Sequence, residues 1–334
     1  MRLATFNLES LDVGPKARVD FSARAQVLRP ALERLAADVL CLQEVNGQHI
    51  PGEVERRLVA LDILLEGTPY QDYARAVTTG AGGRGVADVH NLVTLSRFPI
   101  SAHREVHHEL VAPPLHTSIA AQPGGGVAAP VRFDRPMLVT EIALPGVGAL
   151  TVVNVHLRAP LASPVAGQKK GPFAWRTVAG WAEGFFLSTL KREAQALELR
   201  LLAEALLGED PGKLIAIAGD FNAEDYGPTL RLAVASEEDL GSSELAAHSL
   251  IVLDRAIPAD RRWSVLHHGR EQMLDHILAS RALYGHFRSI EVHNEGLGDE
   301  ALGYGKGLHS AASYHAPLVA QFKMGSGEGA GGSD

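Results

Sequence analysis

The 334 residues carry 46% hydrophobic side chains and near-average charge, enough to bury a substantial core, which is expected as one domain over residues 1–324. Against 39 acidic residues stand 31 basic ones, a formal net charge of −8, which excludes a global basic field for drawing in nucleic acid and leaves only local patches for it. The single cysteine, Cys41, excludes a disulfide framework and, inside an apolar run, reads as a packing residue.

The first residues read as a strand and lack the basic start, apolar stretch and small-residue cleavage site of a signal peptide. No apolar run reaches the ~18 residues of a membrane span, so a soluble cytoplasmic protein is expected. Residues 22–37 carry apolar positions at helical spacing and are followed by a buried strand from Asp38 to Glu44. Gly80 to Gly85 is a loop, and Asn91 to Ser96 a strand stopped by Arg97-Phe-Pro. Met137 to Leu144 and Ala149 to His156, joined across Gly146 to Gly148, form a hairpin. No strand is evident in 157–188, whereas 189–207 has helix-forming composition with leucines three and four apart. Leu214 to Asn222 is a strand, 226–248 mixes short helix and loop, and late strands begin at Gln272 and Pro317. Residues 325–334 are glycine-rich and read as a flexible tail.

Three of the apolar runs stop at a polar pair spaced i, i+2: Asn7/Glu9, Asn154/His156 and Asp220/Asn222. In a strand such residues share a face, with roughly 6 to 7 Å between their Cα atoms. Gathered at one sheet rim with Glu44, they build a cluster of carboxylates, amides and imidazole suited to a hard cation and a phosphate. Two carboxylates ~5 Å apart repel by about 3 kcal/mol at an effective dielectric of 20, so uniting Glu9, Glu44, Asp220 and Asp275 needs an offsetting charge. Oxygen ligands favour Mg²⁺ or Mn²⁺ over zinc.

In order along the chain, Phe6-Asn7-Leu8-Glu9, Leu42-Gln43-Glu44-Val45, Asn154-Val155-His156, Gly219-Asp220-Phe221-Asn222-Ala223, Leu274-Asp275-His276 and Tyr314-His315-Ala316-Pro317 resemble the endonuclease/exonuclease/phosphatase family. The resemblance runs from residue 3 to about 322 and implies an α+β fold, a four-layer α/β/β/α sandwich of two mixed sheets. It implies that Glu44 is the principal metal ligand, with Glu9 as a second acidic ligand and Asn7 supporting them. Asp220 would orient and deprotonate a water, with Asn222 holding that water or the phosphate. His315, paired with Asp275, would bond a phosphoryl oxygen, and His156 would steady the developing charge or protonate the leaving oxygen. The outcome is metal-assisted hydrolysis of a phosphoester by water, with a nuclease-like phosphodiesterase as the leading expectation and no stable protein partner implied. A phosphomonoesterase or phospholipase is the alternative. Where the family usually has Ser-Asp-His this chain has Ser313-Tyr314-His315, and the missing carboxylate keeps a catalytically silent binding protein in view.

Plainer readings accompany these. Asn7 and Asn222 fit turn residues as well as site residues. His276 points to the face opposite Asp275 and reads as structural, and His107/His108 and His267/His268 as loop residues. For Asn91 and Arg135 a phosphate contact is the sharper reading, a turn asparagine and a surface arginine the plainer one. The stretch Lys169 to Arg176, with Trp175, and beyond it Trp181 and Phe185-Phe186, gathers two of three tryptophans beside basic residues. It reads as a substrate-stacking lid in which Trp175 and Arg176 touch substrate, or as an amphipathic helix whose aromatics pack on the sandwich.

Overall fold

Alternating apolar residues sort the strands into two stacked sheets in a computed structural model that describes residues 1–325 apart from 15, 16, 18, 81, 125, 307 and 308. The principal elements are β1 (Arg2–Leu11), α1 (Phe21–Leu35), β2 (Val39–Val45), α2 (Val59–Leu65), β3 (Ala74–Val77), β4 (Asn91–Ser96), β5 (Ile100–Val106) and β6 (Met137–Leu144). They continue with β7 (Gly148–His156), α3 (Val178–Glu209), β8 (Leu214–Asp220), α4 (Pro228–Val234), β9 (Ile251–Val252), β10 (Asp275–Ala279), β11 (Phe287–Val292) and β12 (Leu318–Phe322). One sheet runs β11-β12-β1-β2-β4-β3, the other β9-β10-β8-β7-β6-β5. Each is built around one parallel pair, β1/β2 or β7/β8, whose members are joined through a helix, and the neighbours of each pair run antiparallel to it.

Period-two patterning explains the layers. From β1 and β2, Leu3, Val39 and Cys41 meet Val152, Ala216, Ala218 and Ile277 of the second sheet between the two. Ala4, Phe6, Leu40 and Leu42 face outward onto Leu28, Leu32 and Leu35 of α1 and Leu61 and Leu64 of α2. Val153, Val155, Ile215 and Ile217 face Leu199, Leu202 and Leu207 of α3 and Leu230 of α4. The α/β/β/α sandwich expected from the family resemblance is the observed architecture. Cys41 lies in the inter-sheet core, where burial pushes its thiol up to about 12.

Two differences from the sequence reading have physical causes. Helix α3 begins at Val178 rather than near 189, with Thr177 accepting from the Gly180 amide. Gly180 and Gly184 lower the helical signal, yet they admit the 163–168 strap, since a Cβ on Gly184 would lie 2.3 Å from the Ser163 carbonyl oxygen. Strands β3, β5 and β11 are short or largely exposed edge pieces and show little alternation. Residues 326–334 of the expected tail lie outside the described residues.

His276 takes the outer face of β10, opposite Asp275, and its Nδ1 lies 2.9 Å from Asp254 Oδ2 with both side chains fully buried. Burial works against its protonation, but Asp254 and the Ala223 carbonyl outweigh it and lift the imidazole from 6.5 to about 9. A raised folded pKa gives stability that is complete below pH 6.5 and is lost as pH rises through 9, a swing on the order of 3 kcal/mol. Thermal unfolding should therefore show a melting temperature that falls between pH 6.5 and 9.5. In Asp254→Asn the fall should flatten; an unchanged slope would remove the pair as its cause.

Candidate active site

The C-terminal ends of β1/β2 and β7/β8 open on one rim, where their antiparallel neighbours β4, β10 and β12 begin. Asn7, His156 and Asp220 point between the sheets there, continuing the inward rows of Leu3, Val152 and Ala218. Asn154 also points inward, but it fastens rather than reacts: Gln43 Nε2 donates to its Oδ1 at 2.8 Å, and its own Nδ2 donates to the Leu42 and Val93 carbonyls.

Simple alternation then fails at three strand ends, and each failure builds the site. Glu9, Ser10, Glu44 and Asn222 have φ of 50°, 53°, 59° and 50°, left-handed conformations that cost about 1–3 kcal/mol each. The Glu9 amide donates to Asn7 Oδ1 at 2.9 Å, and the Asn222 amide to Asp220 Oδ1 at 2.8 Å, so two of the i, i+2 pairs are side-chain-closed turns. Arg24 of α1 donates to the Leu8 and Glu9 carbonyls that the first turn releases. At Glu44 the pairing register shifts, and the carboxylate swings from the outward row of Leu40 and Leu42 to the rim.

Glu44 Oε2 accepts from the Ser10 amide at 2.9 Å and hydroxyl at 3.2 Å, while Oε1 lies 3.5 Å from Asn7 Nδ2 and 3.7 Å from His156 Nε2. Burial pushes this carboxyl up, but His90, His156 and Arg135 outweigh it and hold it well below the usual carboxylate range. Asp220 Oδ2 accepts from Asn7 Nδ2 at 3.0 Å and Asn222 Nδ2 at 3.1 Å, with His156 Nε2 at 3.4 Å. Burial pushes Asp220 up to about 7, reinforced by Asp275 and Glu44 and opposed by His315 and the Asn222 amide. His315 Nδ1 lies 2.8 Å from Asp275 Oδ2 and its Nε2 3.9 Å from Asp220. Burial alone would deprotonate His315; the two aspartates keep it protonated far above its ordinary range. His156 goes the other way, lowered by burial and by Arg135, and is neutral near pH 7.

Arg135 is no surface residue. Its guanidinium is influenced by Glu44, Asp134 and Asp220, and its buried Nη1 has no hydrogen-bond partner. Other expectations need correction. Asn91 accepts from the Ala87 amide and donates to the Val45 and Ala87 carbonyls, closing a loop and leaving its amide no hydrogen for phosphate. Asn7 presents a donor, not an oxygen, to the two carboxylates, because its oxygen takes the Glu9 amide. Glu9 Oε2 accepts from the Tyr314 amide at 2.8 Å, and the Tyr314 ring is buried beside Gly298. Trp175 sits between Lys169, 4.2 Å from its ring centre, and Gly184, and Arg176 is exposed with its amide on the Gln168 carbonyl. Neither is drawn against the carboxylates. Trp181 and Phe185 stack on each other and stay partly exposed.

The carboxylate oxygens fit a hard divalent cation: Asn7 Nδ2 lies 3.5 Å from Glu44 Oε1 and 3.0 Å from Asp220 Oδ2, so the two carboxylates face one another across it, and Asp275 Oδ1 is buried with no partner, while protonated His315, in the same cluster as Asp220 and Asp275, donates rather than ligates. Sequence reasoning missed His90, Ser10, Arg24 and Gln43. The signal for His90 was its place directly before Asn91 at a strand start, where a left-handed turn (φ 59°) aims its ring at Glu44.

Comparison with solved structures supports the same architecture. An endonuclease/exonuclease/phosphatase from Beutenbergia cavernae superposes with a TM-score of 0.53 at 19% identity, covering 97% of this chain and 71% of that one. Truncated Caenorhabditis elegans TDP2 gives 0.54 at 14% identity, covering 96% of each. A family protein from Leptotrichia buccalis gives 0.51 at 15% identity, covering 96% of this chain and 99% of that one. No curated protein matches the sequence. The sequence profile of the Endonuclease/Exonuclease/phosphatase family, whose members are generally phosphoesterases, matches residues 4–315, and with the rim of carboxylates and imidazoles this places the chain in that family.

Proposed function

We propose that the chain is a Mg²⁺- or Mn²⁺-dependent phosphodiesterase of nuclease-like type, with residues 1–324 working as one unit because both sheets supply the site. The observation that carries this reading is the buried Asp220 carboxylate, held by Asn7 and Asn222 and 3.9 Å from the His315 imidazole that Asp275 in turn bonds, with burial pushing Asp220 up toward neutrality. A general base works best with a pKa near the working pH, and a cationic donor beside it suits a phosphoryl oxygen.

Asp220, its carboxylate fixed by Asn7 and Asn222, takes the proton of the attacking water. His315, held protonated by Asp275, donates to a phosphoryl oxygen. Neutral His156 donates a hydrogen bond rather than a proton, and Arg135 offers its unbonded Nη1 to the phosphate. Glu44 would hold the divalent cation, with Asp220 alongside. When bound, the cation supplies Lewis-acid neutralisation of phosphoryl charge. The half-exposed Trp181, Phe185 and Phe186 form a wall for flat or apolar substrate groups. The highly exposed Phe173 and Val178, which precede them in the chain, favour, as a second reading, a phosphodiester carried on a lipid.

With bis-p-nitrophenyl phosphate and Mn²⁺, Asp220→Asn and His315→Ala should each lower kcat by about 10²- to 10⁴-fold. Glu44→Ala should raise the half-saturating Mn²⁺ concentration by about tenfold or more. A parent inactive with either ion, or activity indifferent to these changes, would refute the reading. Calorimetry in buffers of different ionisation enthalpy gives a second check. Asp220 is mostly protonated at pH 6, so Mn²⁺ binding should release about one proton there and almost none at pH 8.5, and Asp220→Asn should abolish the release. The double change Trp181→Ala/Phe185→Ala should raise KM for single-stranded nucleic acid or for phospholipid, whichever is the substrate, and leave KM for bis-p-nitrophenyl phosphate unchanged.

A further inference from the structure

His90 stands at the start of β4 in a left-handed conformation, φ 59°, uncommon for a residue other than glycine. Its neighbourhood holds it there. The His90 amide donates to Asn46 Oδ1 at 3.0 Å, the Gly47 amide to the Asp88 carbonyl at 3.0 Å, and the Asn91 side chain to the Val45 carbonyl at 2.8 Å. Three bonds thus tie the loop before β4 to the residues that directly follow Glu44. The imidazole is placed by the same stretch of chain that places the carboxylate.

Its Nδ1 is buried and lies 3.5 Å from Glu44 Oε2, an ion-pair distance too long for a well-formed hydrogen bond. Two donors on adjacent positions of one six-coordinate ion, each about 2.1 Å from it, stand about 3.0 Å apart, so the pair reaches shared coordination by closing about half an ångström. The ring also meets His156 edge-on at 6.2 Å, so two imidazoles flank the one carboxylate.

We propose that His90 is a nitrogen donor to the divalent ion held by Glu44, and that it selects Mn²⁺ and later first-row ions over Mg²⁺. Imidazole adds affinity for these ions, while Mg²⁺ prefers oxygen and water. The inference rests on Glu44 being the metal ligand, as proposed above, and deepens that reading.

The test uses the full chain freed of metal with chelator, then loaded with Mn²⁺, Co²⁺ or Mg²⁺. Pulsed electron paramagnetic resonance of bound Mn²⁺ should show a directly coordinated imidazole nitrogen in the parent and lose it in His90→Gly, where glycine suits the left-handed backbone. Titration calorimetry should find Co²⁺ bound about tenfold more weakly in His90→Gly and in His90→Gln, with Mg²⁺ affinity unchanged within about threefold. A parent spectrum without coordinated nitrogen, or nitrogen coupling that persists in His90→Gly, overturns the assignment of His90. If Glu44→Gln abolishes Mn²⁺ binding in that case, the carboxylate reading survives alone. Mn²⁺ binding undiminished by Glu44→Gln overturns both.

Discussion

The structure depends on keeping two buried carboxylates, Asp220 and Asp275, and a partly buried third, Glu44, at the one open edge of two sheets. Like charges so placed destabilise the fold unless each is answered. The chain answers each differently. Ser10 and Asn7 bond Glu44, Asn7 and Asn222 bond Asp220, and His315 neutralises Asp275. The unequal answers drive the ionisations apart, so that Glu44 stays charged, Asp220 titrates near neutrality and His315 remains cationic. One set of repulsions thereby yields an ion ligand, a base and a cationic donor.

Much of this was legible in the linear chain. The layering came from the family resemblance, and the coarse alternation of strands and helices agreed with it without selecting it. The order of Glu44, Asp220, Asp275 and His315 pointed to one cluster, and the structure unites them.

What was not legible concerns positions where alternation stops. Glu9 and Glu44 turn through left-handed backbone that no propensity marks in a glutamate, whereas the turn at Asn222 was among the readings its residue type offered. Extrapolating the strand therefore aimed Glu9 at the ion, when a turn closed by Asn7 directs it to the Tyr314 amide. Asn91 took its plainer reading, a turn asparagine, while Arg135 departed from the surface arginine for a related reason. Burial depends on which loops cover a residue, and loop placement is a tertiary outcome that local sequence does not encode. The early start of α3 was hidden by Gly180 and Gly184, residues chosen for close approach of a neighbouring strap rather than for helix formation.

The Gln43 to Asn154 bridge reaches across the greasy gap between the sheets at 2.8 Å. Aliphatic side chains tolerate small slippage, whereas a pair of interlocked amides accepts only one alignment. The bridge acts as a dovetail key. Without it the two halves would still adhere, but Glu44 from one and Asp220 from the other would drift out of step, giving a folded molecule whose chemistry has lost its timing belt.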